Sequence, residues 1–292
     1  MPISSPVIVL GSLHYDIIVH GPGRPRKGET VTGTAWAPKC GGKGGNQAVS
    51  AARAGAPVRM IGAVGDDDFG TALLGNLTSN KVDVSALAVL PGETSGMSVA
   101  IFDGEGDYGA VIVSGSNLKI DPTALSNQGW DAGSWLVLQS EVPEPVNLAG
   151  ARLMQAAGGK VVLNAAPARP VAQEVLDLVD ILVVNAIEAE MLAATPVVET
   201  LAGAMAAAIK LLERSRAVVV TAGGEGCAYA DRSGQRVSIP AKKIVVASTH
   251  GAGDEFIGAL TAALWRGLDI EAALNAANEA AALLVSTPED QR

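Results

Sequence analysis

Six short apolar runs constrain this chain more than any other feature: Val7–Leu10, Arg59–Val64, Trp135–Leu138, Lys160–Leu163, Ile181–Val184 and Ala217–Thr221. Each is rich in Val, Ile or Leu and is bounded by Gly, Asn, Pro or Asp. Such uninterrupted runs predict strands buried on both faces, as in a parallel sheet. Helical patterns lie between them. Asp66 to Asn80 places Phe69, Leu73 and Leu77 at helical spacing, and Glu144 to Gly158 places Val146, Leu153 and Ala157 on one side. Thr200 to Arg214 and Ala252 to Trp265 are Ala- and Leu-rich at the same spacing. Strand and helix in alternation predict an α/β protein with helices on both faces of its sheet.

Two regions break the rhythm. Tyr15–Val19 and Thr30–Trp36 read as strands with no helix between them. Met97–Phe102 and Tyr108–Val113 read as a hairpin with Asp103-Gly104-Glu105-Gly106 at its turn. Together they predict one small β sheet covering the main domain. No repeat of 20–50 residues and no low-complexity tract is present.

With 292 residues, one large or two small domains are expected. Apolar residues at 48% and charged ones at 17% exclude a disordered chain. The net charge of −9 is the wrong sign for a duplex-DNA or anionic-membrane binder. The two cysteines, Cys40 and Cys227, form neither a disulfide framework nor a zinc spacing, so a reducing cytoplasm is the expected compartment. No signal peptide and no membrane-spanning run is read.

Gly104-x-Gly106-x-x-Gly109 matches the dinucleotide fingerprint, but it lies between two strand-like runs and opens no helix, so a hairpin turn is the better reading. No P-loop occurs, because Lys43 is followed by Gly44. Two other motifs carry chemistry. Cys40-Gly41-Gly42-Lys43-Gly44-Gly45-Asn46-Gln47 runs into the helical Ala48–Arg53. Packed glycines before a helix expose backbone N–H groups to a polar or anionic ligand, and Lys43 and Asn46 add donors. Ser248-Thr249-His250-Gly251-Ala252-Gly253-Asp254 opens the second such helix. Its amides suit charge growing on a transferring phosphoryl group, and Asp254 can take a proton from an attacking hydroxyl. An N-cap aspartate is the bland alternative. Asn185-Ala186-Ile187-Glu188 follows the strand Ile181–Val184, where ligands of α/β sheets bind. Glu188 can orient Mg²⁺ or its waters, although a capped helix start is the simpler reading of these residues alone.

Gly11-Ser12-x-x-x-Asp16, then Gly41-Gly42-Lys43-Gly44-Gly45-Asn46-Gln47-Ala48, then Gly251-Ala252-Gly253-Asp254 resemble the ribokinase-like (PfkB) carbohydrate kinases from Val7 to about Val285. Lys43 and Asn164-x-Ala166-Pro167-Ala168 resemble the ribose branch more than the fructose or adenosine branch. The resemblance implies a doubly wound, mainly parallel sheet over 1–11, 38–95 and 115–292, with a β lid over 12–37 and 96–114. It implies ATP-dependent phosphorylation of a hydroxymethyl group, with D-ribose 5-phosphate as the expected product. Asp254 would be the base, and Gly251, Ala252 and Gly253 the anion hole. Asp16, Gly42, Lys43, Asn46 and Glu141 would hold the sugar. Asn185 and Glu188 would serve phosphate and Mg²⁺. Thr221, Gly223 and Gly226 would line the nucleotide site and Asn278 would approach adenine. A homodimer through the lid is a further expectation of the family.

Three departures stand out. His14 replaces an asparagine that touches the sugar in the family, which keeps a nucleoside acceptor such as pseudouridine, or another sugar, in view. Ser248 replaces an aspartate that helps to bind an activating monovalent cation. Where relatives continue with a Gly-Ala-containing loop bordering adenine, this chain has Thr287-Pro288-Glu289-Asp290-Gln291-Arg292. The last two put potassium activation in doubt, imply an open nucleotide pocket or low ATP affinity, and keep a sugar-binding protein with weak or lost catalysis as the rival from another class.

Overall fold

Every one of the six apolar runs is a strand of the computed structural model, which describes residues 5–104, 108–196, 198–288 and 291–292. In chain order the strands are β1 (Val7–Leu10), β2 (His14–His20), β3 (Ala35–Gly41), β4 (Val58–Gly65), β5 (Val82–Leu90), β6 (Met97–Phe102), β7 (Tyr108–Val113), β8 (Trp135–Gln139), β9 (Lys160–Asn164), β10 (Ile181–Asn185), β11 (Ala217–Thr221), β12 (Gly226–Asp231) and β13 (Arg236–Pro240). The helices are α1 (Lys43–Arg53), α2 (Asp68–Ser79), α3 (Glu144–Ala156), α4 (Gln173–Leu176), α5 (Ala186–Ala193), α6 (Leu201–Leu211), α7 (Ala252–Trp265) and α8 (Ile270–Ser286).

Nine strands form one sheet in the order β13-β12-β11-β10-β9-β8-β1-β4-β5. Its pairs are parallel except β11 with β12 and β12 with β13. The chain starts in the middle at β1, lays β4 and β5 on one side, and builds β8 onward on the other. The order therefore reverses between β1 and β8, which opens a crevice at their carboxyl ends. Alternate residues serve two cores. Ile8 and Leu10 pack with α3 to α6, whereas Val7 and Val9 pack with α1, α2, α7 and α8. Both faces are covered, which is why β1 is apolar at every position and fully buried. Burial of each such Val, Ile or Leu contributes about 1.5–3 kcal/mol relative to exposure.

A second sheet, in the order β3-β2-β6-β7, stands apart from the first. The predicted hairpin is present, with Met97 opposite Val113 and Phe102 opposite Tyr108. Gly109 pairs with Ile101 in that ladder rather than opening a helix. Residues 105–107 of its turn lie outside the described residues.

Three details differ from the sequence expectations. The strand expected over Thr30–Trp36 overlaps β3 only at Ala35 and Trp36. Pairing decides here, since Val19 lies opposite Trp36 and Ile17 opposite Pro38, and a proline is tolerated because β3 is an edge strand. The glycine run is not a loop throughout, because α1 begins at Lys43 and takes Gly44, Gly45 and Asn46 into its first turn. A Cβ on Gly44 would lie 2.6 Å from the Ser12 nitrogen, so this helix end rests directly on the chain linking β1 to β2. Finally, α3 buries Val146, Asn147, Gly150, Ala151 and Met154, while Leu153 and Ala157 are only half-buried.

Candidate active site

Two helix ends meet at the crevice. α1 and α7 pack so closely that a Cβ on Gly258 would lie 2.4 Å from the Ser50 Cβ, and the Ser50 hydroxyl donates to the Glu255 carbonyl at 2.9 Å. This contact brings Asp254 alongside the first turn of α1. Its Oδ2 accepts from the Asn46 amide at 2.9 Å and its Oδ1 from the Gln47 amide at 2.9 Å. Gln47 also donates to Asn164 (3.0 Å) and accepts from Gln139 (2.9 Å), so the carboxylate sits at the end of a buried amide chain. Asp254 is 9% exposed. Burial pushes its carboxyl up from 3.8, against the pull of the Lys43 charge and the Asn46 and Gln47 amides. The carboxylate is not an N-cap. Gly251 fills that position with a φ of 81°, a conformation that costs glycine little, and Ala252 opens the helix. The Ala252 N–H turns back to the Thr249 carbonyl at 3.3 Å. A Cβ on Gly253 would meet nothing within 4 Å, leaving open space at the amino end of α7.

The sugar-side candidates gather around the β1–β2 junction. Glu141, just past β8, accepts from the Ser12 hydroxyl and from the Lys43 N–H at 2.9 Å. One of its oxygens thus caps α1, whose N-cap Gly42 has no side chain to do so. Asp16 accepts from the Ser98 hydroxyl on β6, and burial raises its carboxyl above 3.8. His14 is 4% exposed; its Nδ1 lies 3.9 Å from Glu141, and its buried Nε2 has no hydrogen-bond partner among the described residues.

A cleft of ≈ 860 Å³ opens on the other side of the α7 amino end. Asn185, Thr221, Gly223, Gly226 and Asn278 line it, together with Ala252 and Gly253. Asp16, Glu141 and Lys43 do not. Asn278 spends its amide on the Pro240 carbonyl at 2.9 Å. Asn185 and Glu188 form a reciprocal capping box at the start of α5, with bonds of 2.9 and 2.8 Å. The bland reading of that pair is therefore realised, except that Glu188 is buried rather than solvated, which raises its carboxyl above 4.5 despite the Asn185 N–H and Lys43.

Sequence reasoning assigned no role to Ser12, Gln47, Ser98, Gln139 or Asn164. A readable signal existed for some of them. Gln139, Asn164, Asn185 and Thr221 are the last residues of β8, β9, β10 and β11, so each apolar strand ends on a hydrogen-bonding side chain at the ligand edge. Ser98 had none, because its tie to Asp16 comes from the β2–β6 register.

Fold and cleft together define a doubly wound α/β protein with a second, smaller sheet beside a two-sided crevice. The chain belongs to the pfkB family of carbohydrate kinases, whose family model matches residues 5–292. It is 37% identical over 281 residues to a ribokinase of Bacillus subtilis, covering 96% of this chain and 92% of that protein. It is 32% identical over 275 residues to a deoxyribokinase of Salmonella typhi, covering 93% and 89%. The solved structure of Arabidopsis thaliana ribokinase complexed with ribose and ATP superposes with a TM-score of 0.89, at 29% identity, over 98% of this chain and 94% of that one. The chain is thus a phosphotransferase with an alcohol group as acceptor, of a family that uses ATP and Mg²⁺. Among the described residues, no helix is long and apolar enough to cross a membrane.

Proposed function

We propose that this protein transfers the γ-phosphate of ATP to the hydroxymethyl group of D-ribose. The observation that carries the reading is the Asp254 carboxylate, buried at the amino end of α7 and aligned by two amides from α1. Asp254 takes the proton as the hydroxyl oxygen attacks the γ-phosphorus and the bond to ADP breaks. The amide end of α7, from Gly251 to Gly253, faces the charge on the transferring group, and Lys43 adds a positive charge. Asp16, Glu141, Asn46 and the Gly42 backbone hold the sugar. Asn185, Thr221, Gly223, Gly226 and Asn278 hold the nucleotide. The cleft suits it: a Cβ on Gly223 or Gly224 would also meet nothing within 4 Å.

Glu188, buried at the start of α5 within reach of the Lys43 and Asp254 charges, would orient Mg²⁺ or its waters. No cluster of three or more His, Cys, Asp or Glu able to hold a metal exists among the described residues, and Mg²⁺ characteristically needs only one or two carboxylates. When bound, the ion neutralises charge on the β- and γ-phosphates. The test is an acceptor panel of ribose, 2-deoxyribose and nucleosides, read as ADP release. Ribose is expected to lead. Asp16→Ala is expected to raise the KM for ribose by about tenfold or more while leaving the KM for ATP unchanged, measured by steady-state kinetics.

The small sheet would close over the sugar and exclude water. Its two faces differ. One bears Asp16 and Ser98, whereas the other carries the uncharged rows Trp36–Val19–Ile101 and Pro38–Ile17–Val99–Val111, the first of them ending at Gly109 against the Arg24 side chain. Trp36 and Val111 are each 69% exposed, and an apolar patch of this kind marks an interaction surface. We place a second copy of the chain there. Trp36→Glu is expected to convert a dimer to a monomer in light scattering. Two free cysteines, Cys40 half-buried and Cys227 buried, suit a reducing cytoplasm.

A further inference from the structure

The loop leading into α7 is held by one side chain distant from it in sequence. Arg292 donates from Nε to the Thr287 carbonyl (2.9 Å), and from its two terminal nitrogens to the His250 carbonyl (2.9 Å) and the Ser248 carbonyl (2.8 Å). The Ala247 and Ser248 N–H groups both donate to the Val285 carbonyl, at 2.8 and 3.2 Å. The loop is therefore tied to the carboxyl end of α8 twice, once by its own amides and once through the guanidinium.

Three carbonyl oxygens from two segments converge on this one group. Their dipoles point their negative ends at a common centre, and the carboxyl end of α8 adds partial negative charge. A neutral occupant would leave that field unbalanced. A guanidinium stays charged at any working pH and presents its N–H donors in a rigid planar fork. Two of the three carbonyls lie within three residues of Gly251, whose left-handed turn aims the amide end of α7.

We propose that Arg292 is a tethered cation that sets the Ser248–Gly251 loop and so makes the protein independent of a monovalent metal ion. The potassium ion that the family resemblance implies does not fit here. The position of its carboxylate ligand is held by Ser248, a neutral hydroxyl, and the Ser248 and His250 carbonyls are already engaged by Arg292. Arg292 is a positioning residue, since it acts through the loop on the α7 amides and on Asp254. The activity readout rests on the kinase reading; the placement of the cation does not.

The experiment compares the wild-type protein with Arg292→Ala and Arg292→Lys, each in potassium chloride and in tetramethylammonium chloride. Amide hydrogen exchange over 247–253 and ribose-dependent ADP release are both measured. The wild-type protein is expected to show the same exchange and the same rate in the two salts, within about twofold. Arg292→Ala is expected to exchange about tenfold faster in tetramethylammonium and to lose about tenfold in kcat with ribose KM unchanged. Millimolar guanidinium or potassium ions should restore part of both, and Arg292→Lys should fall between. Three results overturn the proposal: a wild-type rate or exchange that changes more than about fivefold with potassium, an Arg292→Ala protein like wild type, or a loss that no cation restores. Should Arg292→Ala fail to fold, the salt comparison on the wild-type protein and the Lys variant still decides. Exchange needs no turnover, so failure of every acceptor would sink the kinase reading and leave this one judged on exchange alone.

Discussion

Asp254→Asn is expected to lower kcat by about 10³-fold, within the range that a positioned general base contributes, while ribose still binds. The substitution removes the proton acceptor and keeps the shape. Asn46 can rotate its amide to accept from the new NH₂ group, and Gln47 can go on donating to the new carbonyl, so the two bonds to position 254 survive. To act as the base, Asp254 must be ionised, and burial lifts its carboxyl above 3.8. The acid limb of kcat/KM should therefore lie above the ordinary carboxylate range. Stability follows the same linkage. Because the folded pKa is the higher one, the native state binds more protons than the unfolded chain between 3.8 and the raised value. Stability falls as pH rises through that window, and the cost persists at neutral pH. Asparagine carries no charge, so the variant is expected to melt at or above the wild-type Tm at neutral pH. Steady-state kinetics, calorimetric ribose titration and thermal melting check the three parts. Unchanged turnover would remove Asp254 as the base, and a Tm lower by several degrees would make its carboxylate a structural group.

Gly258→Ala is expected to damage stability and activity together. A Cβ there would lie 2.4 Å from the Ser50 Cβ and Oγ and 2.6 Å from the Ala51 nitrogen. Backbone lies on the receiving side, so the helices must separate rather than one rotamer turn. Overpacking of this kind costs about 1–3 kcal/mol, which lowers the Tm by several degrees in a chain of this size. Separation of α1 from α7 also draws Asn46 and Gln47 away from Asp254, and kcat is expected to fall at least about tenfold. Gly75→Ala in α2 is the control. Its Cβ would meet nothing within 4 Å, so removing a helical glycine at this exposed position should stabilise by about 0.5–1 kcal/mol and leave kcat alone. Equal effects of the two substitutions on the Tm would contradict the packing argument.

The core strands were legible because both of their faces are covered. β1, β4, β8, β9, β10 and β11 end within one residue of the apolar runs, since such a strand has no use for polar residues except at the ligand edge. The outer strands were not. β13 alternates exposed and buried residues and β5 buries only Val82, because an edge strand is covered on fewer sides. β3 was displaced for a related reason, its register being imposed by β2 rather than by its own Ala-Trp-Ala-Pro sequence. Of the candidate site, Gly251–Asp254 and Gly41–Asn46 could be picked out as glycine-flanked helix starts. The partners that hold them could not. The Gln47–Gln139 and Arg292–Ser248 bonds join residues far apart in sequence, and only the topology puts them in reach.

The most direct test of the central claim is a ³¹P NMR spectrum of the product formed from ATP, Mg²⁺ and D-ribose by the purified protein. Proton abstraction by Asp254 from a hydroxymethyl group predicts new phosphomonoester signals, one for each ring form of the sugar, each split by the two protons of a CH₂ group, with stoichiometric ADP. A doublet from phosphate on the anomeric carbon, or no ribose-dependent ADP at all, would contradict it.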